Sequence, residues 1–539
     1  KNGANLLDRL VKDVVTESDS FDVERFIPLL QKYIRRSNPY IRQLLIGWIT
    51  VLDSVPDINM LDWLPDFLDG LFNMLSDTNR EIRQAAAAAI SSFLNEIKQT
   101  SVVDYGPMIG ILVTQCRSNE RFIRLTTITW VQEFIGLGET KLLLFYSELL
   151  GAIMHCISDA DLEIRGVAEA TDVSLLALVR TTEEGFELSP LLQTLTSELG
   201  SNHIPTRMAA LRWIDMLLGK AQGEMIQYIS ELLPALLKTL SDEADEVVLM
   251  NLEVLAQIAL LNDDEFQRVL HAVVQLFADD RQLLEFRGSL IIRNLCNLLN
   301  AKSIYQAFAA ILSGDCMADS MTATDNATLS QDDLEFRSIM VQTLNLILLT
   351  ARELDELRHL LHRSLDIDAS SETTELFTCI YTCWCHNPVA TLALCLTAQS
   401  YDLASSLIME FADVDVTVGF LMQVDKLVQL LESPIFIQLR LQLLEVASPS
   451  HAPLLKSLYG LLMLLPQSTA FRTLNTRLAT VATLQRHANV HTGQNTPESL
   501  ARTQPRNLQL LECFQRVQAI HRKTYHERVA RNRLTKLKG

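Results

Sequence analysis

Glycine and proline are scarce: 19 and 15 among 539 residues, roughly half the usual share of glycine and well under that of proline. With so few breakers among many Leu, Ala and Ile, the chain favours long helices. Collagen-like, disordered and all-β sandwich classes are excluded. Cysteine is neither dense nor even in number: nine, scattered along the chain, which fits a reducing compartment rather than a disulfide framework. The tightest group, Cys379, Cys383, Cys385 and His386 with Cys395 beyond, lacks the two separated ligand pairs of a zinc site. It reads as small buried apolar packing. Nucleotide-binding glycine loops, His-Glu-x-x-His and Gly-x-Ser-x-Gly are all absent. No catalytic residue, cofactor or metal is therefore expected, and the chain is not expected to be an enzyme. The one long uncharged run, residues 376–401, is split by His386-Asn387-Pro388 into halves too short to cross about 30 Å of hydrocarbon.

Charge is present but uneven. The net value is −19. Residues from Ala501 onward carry ten basic and two acidic side chains, leaving 36 basic against 63 acidic in the first 500. An acidic body repels nucleic-acid phosphates and the anionic leaflet of a membrane. Nucleic acid is not an expected partner, and a membrane is expected only through other proteins. The chain opens at Lys1 inside an amphipathic pattern (Leu6, Leu7, Leu10, Val11, Val14), so further residues are expected ahead of it.

Self-similarity is the strongest positive signal. The strings NPYIRQLLIGW, NREIRQAAAAA, NERFIRLTTITW, LEIRGVAEAT, IPTRMAALRW, DEVVLMNLEV and LEFRGSLIIR align on Arg42, Arg83, Arg124, Arg165, Arg207, Val248 and Arg287, with gaps of 41, 41, 41, 42, 41 and 39. Six residues before five successive anchors stand Asp77, Ser118, Asp159, Ser201 and Asp242, all residue types that cap helix N-termini. Each unit reads as a helix, a capped turn and a second helix starting near the anchor. Ile82, Ala86, Ala89, Ile90, Phe93 and Ile97 show the helical spacing of one apolar stripe. A single helix pair cannot bury two stripes, so units must stack. The period and the turn-then-Arg pattern resemble HEAT repeats. That resemblance implies a ladder of turn acids and anchor arginines (Arg42, Arg83, Arg124, Arg165, Arg207, Arg287) between neighbouring units. Six residues after the anchor, Trp48, Trp130 and Trp213 alternate with Ala89 and Thr171, which predicts large rings interdigitating with small neighbours in the core.

The predicted fold is all-α: an α-solenoid of HEAT-like helix pairs over 1–312, followed by a C-terminal helical module. Residues 313–332 (SGDCMADSMTATDNATLSQD) are small, polar and acidic without periodicity, and are expected to form a mobile insertion. Helices resume over 333–484 without the 41-residue rhythm, as a module of different geometry. Its apolar content suits an oligomer or partner contact. Residues 485–507 read as a linker, and 508–539 as a docking helix with a basic end.

Five stretches go further. LSDEADEVVLMNLEVLAQIA (240–259), LLEFRGSLIIRNLCNLLNA (283–301), CWCHNPVATLALC (383–395), VDKLVQLLESPIFIQLRLQLLE (424–445) and LYGLLMLLPQSTAF (458–471) resemble the HEAT-repeat vacuole-morphology scaffold family. The likeness runs from LLDRLVKDVVTES (6–18) to the basic tail. By that resemblance, several N-terminal repeats of the family are expected ahead of this sequence, and near 262–265 relatives carry a longer loop. The resemblance implies a non-enzymatic scaffold that self-associates through its C-terminal region. It would hold a phosphatidylinositol-3-phosphate 5-kinase together with the opposing Sac-type phosphoinositide 5-phosphatase, in the cytoplasm and peripherally on endosomal or vacuolar membranes. The matched motifs place candidate interface residues at Asp425, Lys426, Leu430, Pro434, Arg440, Leu464, Pro466 and Gln467. The rival from another class is a karyopherin-like transport adaptor, which also stacks helix pairs around an acidic face.

Overall fold

The computed structural model describes residues 2–17, 21–55, 58–100, 103–182, 187–313, 330–364, 371–414, 416–446, 448–488 and 504–538. Every regular element among them is helical, as the low glycine and proline content predicts. The insertion at 313–332 lies almost wholly outside the described residues, as does the middle of the linker at 485–507. The linker's described ends are helical, because one helix runs on to Ala488 and the last begins at Gln504. The chain divides into two compact units, 1–257 and 258–539. The division falls inside the repeat array expected over 1–312. Its last helices, such as Ala301–Ser313, pack on Asp263–Asp279 and Ser371–Trp384 within the second unit.

In the first unit the 41-residue period becomes six helix pairs. They are Val23–Ile34 with Pro39–Asp53, Leu64–Met74 with Arg80–Gln99, Gly106–Gln115 with Arg121–Gly138, Tyr146–Ile157 with Leu162–Thr181, Leu188–Leu199 with Ile204–Lys220, and Ile229–Thr239 with Asp245–Ala259. In all six the anchor residue is the fourth of the second helix. First helices stack on first helices, and among the second helices Pro39–Asp53 packs on Arg80–Gln99 and Leu162–Thr181 packs on both Arg121–Gly138 and Ile204–Lys220, so pairs bury their stripes on their neighbours.

The turns differ from the predicted caps in an informative way. Asn79 and Asp161, not Asp77 and Asp159, cap the following helices. Asp77, Asp159 and Asp242 instead accept the backbone N–H two residues on, at 2.8, 2.9 and 2.9 Å, closing a local turn. The anchor arginine staples that turn from the helix side. Arg83, Arg124 and Arg207 donate Nη1 to the carbonyls of Asp77, Ser118 and Ser201 at 2.6, 2.9 and 2.7 Å. Three anchors then reach one unit along: Arg42 to Asp77, Arg124 to Asp159 at 2.6 Å and Arg207 to Asp242 at 3.0 Å. Burial alone would raise Asp77 and Asp159. The turn N–H and the arginine outweigh it and hold both carboxyls below the usual range. Where these three arginines find an aspartate, Arg83 and Arg165 have Ser118 and Ser201.

The tryptophans follow the same two-unit rhythm. Trp130 and Trp213 are 1% and 0% exposed, and Trp48 is also buried. Trp48 donates Nε1 to Asp8 at 2.9 Å and Trp213 to Asp172 at 2.7 Å, each acid lying in a preceding helix. Trp130 packs between Phe72 and Phe134, with ring centroids 5.8 and 5.7 Å away. Thr171 and Ala89 are buried too.

The second unit keeps two rows although its spacing in sequence is irregular. Asp263–Asp279, Ala301–Ser313, Ser371–Trp384, Tyr401–Glu410 and His451–Leu464 carry one row. Arg281–Leu298, Gln331–Thr350, Pro388–Thr397, Val418–Leu431 and Thr469–Ala488 carry the other. Short helices at Asp355–Arg363 and Ile437–Gln442 intervene. They break the 41-residue rhythm without ending the two rows. Gly460 lets two first-row helices approach closely, because a Cβ there would meet Ile408 Cγ2 at 2.1 Å.

Two outcomes test this account. Trp130→Ala removes a fully buried ring and is expected to destabilise the chain by about 3–5 kcal/mol, read as a drop in melting temperature. A double-mutant cycle on Arg207 and Asp242 is expected to give a coupling of about 0.5–3 kcal/mol. The equivalent cycle on Arg165 and Ser201 is expected to give a value indistinguishable from zero.

Candidate functional site

Helices Gln331–Thr350, Pro388–Thr397 and Val418–Leu431 line a cleft in the second unit, with Gln342, Leu346, Leu349, Val389, Lys426 and Leu430 on its walls. The last helix forms here because Thr417 Oγ1 accepts the Phe420 N–H at 3.1 Å and because Val424, Leu427, Val428 and Leu431 make one buried stripe. That stripe turns Lys426 outward and leaves Leu430 half-buried at the cleft. Gln423 Nε2 donates to Gln342 Oε1 at 3.0 Å, tying two of the walls together.

The other predicted residues fall into turns. Asp425 accepts Ser468 Oγ–H at 2.6 Å and Gln429 Nε2–H at 2.7 Å. Ser468 immediately precedes helix Thr469–Ala488, so Asp425 fixes the loop on which Pro466 and Gln467 stand exposed. Leu464 is half-buried at the end of its helix. Pro434 opens a short 3-10 turn and is exposed. Arg440 closes that turn, donating Nη1 to the carbonyls of Leu431 and Ser433 at 2.5 and 2.6 Å. This is the same stapling that the anchors perform in the first unit, and Arg358 repeats it on Leu348 and Ala351 at 2.6 and 2.7 Å. Arg440 also borders a cavity of about 540 Å³ with Leu444, Arg472, Thr476 and Arg477. There Arg477 grips both oxygens of Glu432 at 2.8 and 2.5 Å. Large apolar side chains stand exposed nearby in sequence, among them Val418, Met422 and Met463 at 77%, 68% and 87%.

The surface that receives the predicted docking helix was not foreseen from sequence. Helix Gln504–Lys538 packs on Gln331–Thr350, Ser371–Trp384 and Tyr401–Glu410. Leu510, Phe514 and Val517, the stripe visible in its spacing, are buried. Polar contacts fix the register: Arg506 donates to Thr374 O at 3.1 Å, Gln518 to Cys385 O at 2.7 Å, and His386 Nδ1 meets His521 Nε2 at 2.9 Å. The stripe was legible. Its receiving surface was not, because Cys383–Pro388 offers no spacing signal that points 130 residues downstream. Among the described residues no three His, Cys, Asp or Glu side chains group to hold a metal, and no helix is long and apolar enough to cross a membrane.

Burial, with the positive charge of Arg337 and of its partner imidazole, lowers His386 to about 3; burial and Arg337 lower His521 to about 4. Both rings are therefore neutral in the fold, while their unfolded counterparts take up protons below about pH 6.5. The stability they support is complete above that pH. It is lost as pH falls toward 4, at up to about 1.4 kcal/mol per pH unit for each ring. Melting curves at pH 7.5, 6 and 5 are expected to show a steeper loss for the wild type than for His521→Asn.

The cleft, the turns and the loop at 466–467 all lie within residues 281–481. This span matches the family model described as "Vacuolar protein 14 C-terminal Fig4p binding", and residues 67–97 match the HEAT repeat. The chain is 49% identical over 484 residues to an Arabidopsis thaliana protein VAC14 homolog, covering 90% of this chain but 62% of that relative's length. It is 32% identical to the Schizosaccharomyces pombe protein VAC14 homolog, covering 99% of this chain and 76% of the relative. With the vacuole morphology and inheritance protein 14 of Saccharomyces cerevisiae it shares 24% identity, covering 89% and 68%. Among solved structures, a computationally designed armadillo repeat protein for modular peptide recognition aligns at 17% identity with a TM-score of 0.27, covering 43% of this chain and 99% of its own. A near-full-length alignment to relatives of one name, joined to a family-specific match over the region that holds the cleft, leaves one assignment: this chain belongs to the VAC14 family of HEAT-repeat proteins.

Proposed function

We propose that this chain is a non-enzymatic scaffold of the machinery that sets phosphatidylinositol 3,5-bisphosphate levels. Residues 281–481 present the surface that takes a Sac-type phosphoinositide 5-phosphatase. The chain self-associates through its second unit. The phosphatidylinositol-3-phosphate 5-kinase is held through the N-terminal repeats. The observation that carries this reading is the coincidence of the Fig4p-binding match with a stretch whose side chains divide into those holding turns and those facing out. Asp425 and Arg440 hold turns; Lys426, Pro434, Pro466 and Gln467 face out and are free to contact a partner. Exposed Val418, Met422 and Met463 supply the apolar area that protein association needs. An acidic body lacking a membrane-spanning helix among its described residues is brought to endosomal or vacuolar membranes by these partners. The similarity to VAC14 proteins favours this reading over a transport adaptor.

Two measurements test it. Lys426→Glu combined with Gln467→Arg is expected to lower recovery of the phosphatase in a pull-down at least tenfold, about 1.4 kcal/mol, with an unchanged melting temperature. Undiminished recovery would remove these residues from the interface. Light scattering of the full chain is expected to give a mass well above the 60.7 kDa of one copy. A strict monomer at all concentrations would remove self-association.

A further inference from the structure

The cavity bordered by Arg440 has the opposite charge to the chain around it. Its volume, about 540 Å³, is that of a ligand site, and it lies where helix Thr469–Ala488 faces Ile437–Gln442 and the two residues beyond. Arg440, Arg472 and Arg477 line it and no Asp or Glu does, although the whole chain carries −19. Two of these guanidiniums are held in place by bonds that leave further N–H groups over. Arg440 commits Nη1 to the carbonyls of Leu431 and Ser433, keeping Nε and Nη2. Arg477 commits Nε and Nη2 to Glu432, keeping Nη1. Arg472 is exposed, and its side chain has no partner among the described residues. Glu432 offsets one of the three positive charges, so two remain without a counterion. That matches a phosphate monoester, about −1.5 to −2 near neutral pH, better than a single carboxylate. The planar fork of arginine also pairs bidentately with phosphate oxygens.

The rest of the lining says what the phosphate is attached to. Thr473, Thr476 and Thr480 each donate Oγ1–H to the carbonyl four residues back, at 3.0, 2.8 and 2.9 Å. Toward the cavity they therefore offer only lone pairs, which suit the N–H groups of a peptide backbone. Apolar area adjoins the arginines: Ile437, Leu441 and Leu444 stand at helical spacing and are 50%, 49% and 53% exposed. A free inositol phosphate would leave that stripe uncovered. A membrane would cover it only by bringing an anionic leaflet against the acidic body. A phosphorylated peptide supplies the dianion, the N–H donors and the apolar side chains together. We propose that this groove binds a peptide segment carrying phosphoserine or phosphothreonine, with Arg440, Arg472 and Arg477 on the phosphate and Leu444 with its neighbours against an apolar residue of the segment. The turn and Glu432 orient Arg440 and Arg477 in advance, so little side-chain freedom is lost when the segment binds. The inference does not depend on the phosphatase reading.

The test uses the full chain and a fluorescein-labelled peptide library, fixed at a central phosphoserine and rich in leucine beside it, read by fluorescence anisotropy. The library is expected to bind saturably. Its unphosphorylated counterpart, and one with glutamate in place of phosphoserine, are expected to bind about tenfold more weakly. Arg472→Glu changes an exposed side chain, so it is expected to keep the wild-type melting temperature while weakening the phosphorylated library about tenfold. Leu444→Asp is expected to weaken it as well, and free phenyl phosphate to compete. No binding of the phosphorylated library, equal binding of the unphosphorylated one, or an affinity unchanged in Arg472→Glu would each overturn the proposal. So would a chain that ignores the phosphopeptides yet takes up inositol hexakisphosphate, or phosphatidylcholine vesicles containing phosphatidylinositol 3-phosphate, in a manner that Arg472→Glu abolishes. The groove would then belong to an inositol phosphate or a lipid headgroup.

Discussion

A pair of antiparallel helices with an apolar stripe on each flank can bury those stripes only against another such pair, and the rest of this structure follows from that constraint. It makes stability a property of neighbours and puts every polar group on the buried flanks under pressure to find a partner across the unit boundary. The first unit meets that pressure on a two-pair cycle. Pairs with a tryptophan also supply the arginine that reaches the next turn acid: Trp130 with Arg124 and Asp159, Trp213 with Arg207 and Asp242. Pairs without a tryptophan hold a small residue in its place. In one of them Asp172, raised by burial, accepts the indole N–H of the next pair. At that junction a large amphipathic ring, a small neighbour and a buried acid form one solution, since an indole N–H left unpaired in the core costs more than the bond it makes returns.

The anchors were legible because the arginine must sit one turn into its helix to reach back to the turn carbonyls, which fixes its spacing to within a residue. The role of Asp77, Asp159 and Asp242 was only half legible. Their residue type announces a local N–H acceptor, but whether the acceptor serves the helix or the turn before it depends on where the helix starts, and Asn79 and Asp161 take the capping position. The second unit was least legible. Its rows persist through Tyr401–Glu410 and Thr469–Ala488, yet short helices at 355–363 and 437–442 change the interval between equivalent positions. Stacking answers to apolar stripes, and these survive insertions that destroy any fixed period.

The candidate interface shows the same division between what pattern carries and what geometry adds. A matched motif names Asp425, Lys426, Pro434 and Arg440 together, whereas their surroundings separate them. Arg440 is occupied by two carbonyls and Asp425 by Ser468 and Gln429, so changing either disturbs a turn before it disturbs a partner. Lys426, Pro466 and Gln467 have no such duty in the fold, so their substitution tests the proposed recognition without disturbing a turn. A scaffold built by stacking can place recognition on such positions because its cohesion lies elsewhere, in stripes and staples that outward side chains do not touch.

The C-terminal helix carries this logic to its limit. Opposite charge would draw its basic end toward the acidic body, but the ion pair Arg528–Glu335, at 3.9 Å with both side chains half-exposed, belongs to a class worth about 0–1 kcal/mol. What holds the helix in register is short-range: Phe514 and Val517 in the core, the Arg506 guanidinium and the Gln518 amide on backbone carbonyls, and two uncharged imidazoles in contact. Long-range charge sets the approach and is screened by salt. The seam sets the final position and is not screened. The helix is therefore governed by agents that change the seam itself, such as protons at His386 and His521, more than by ionic strength.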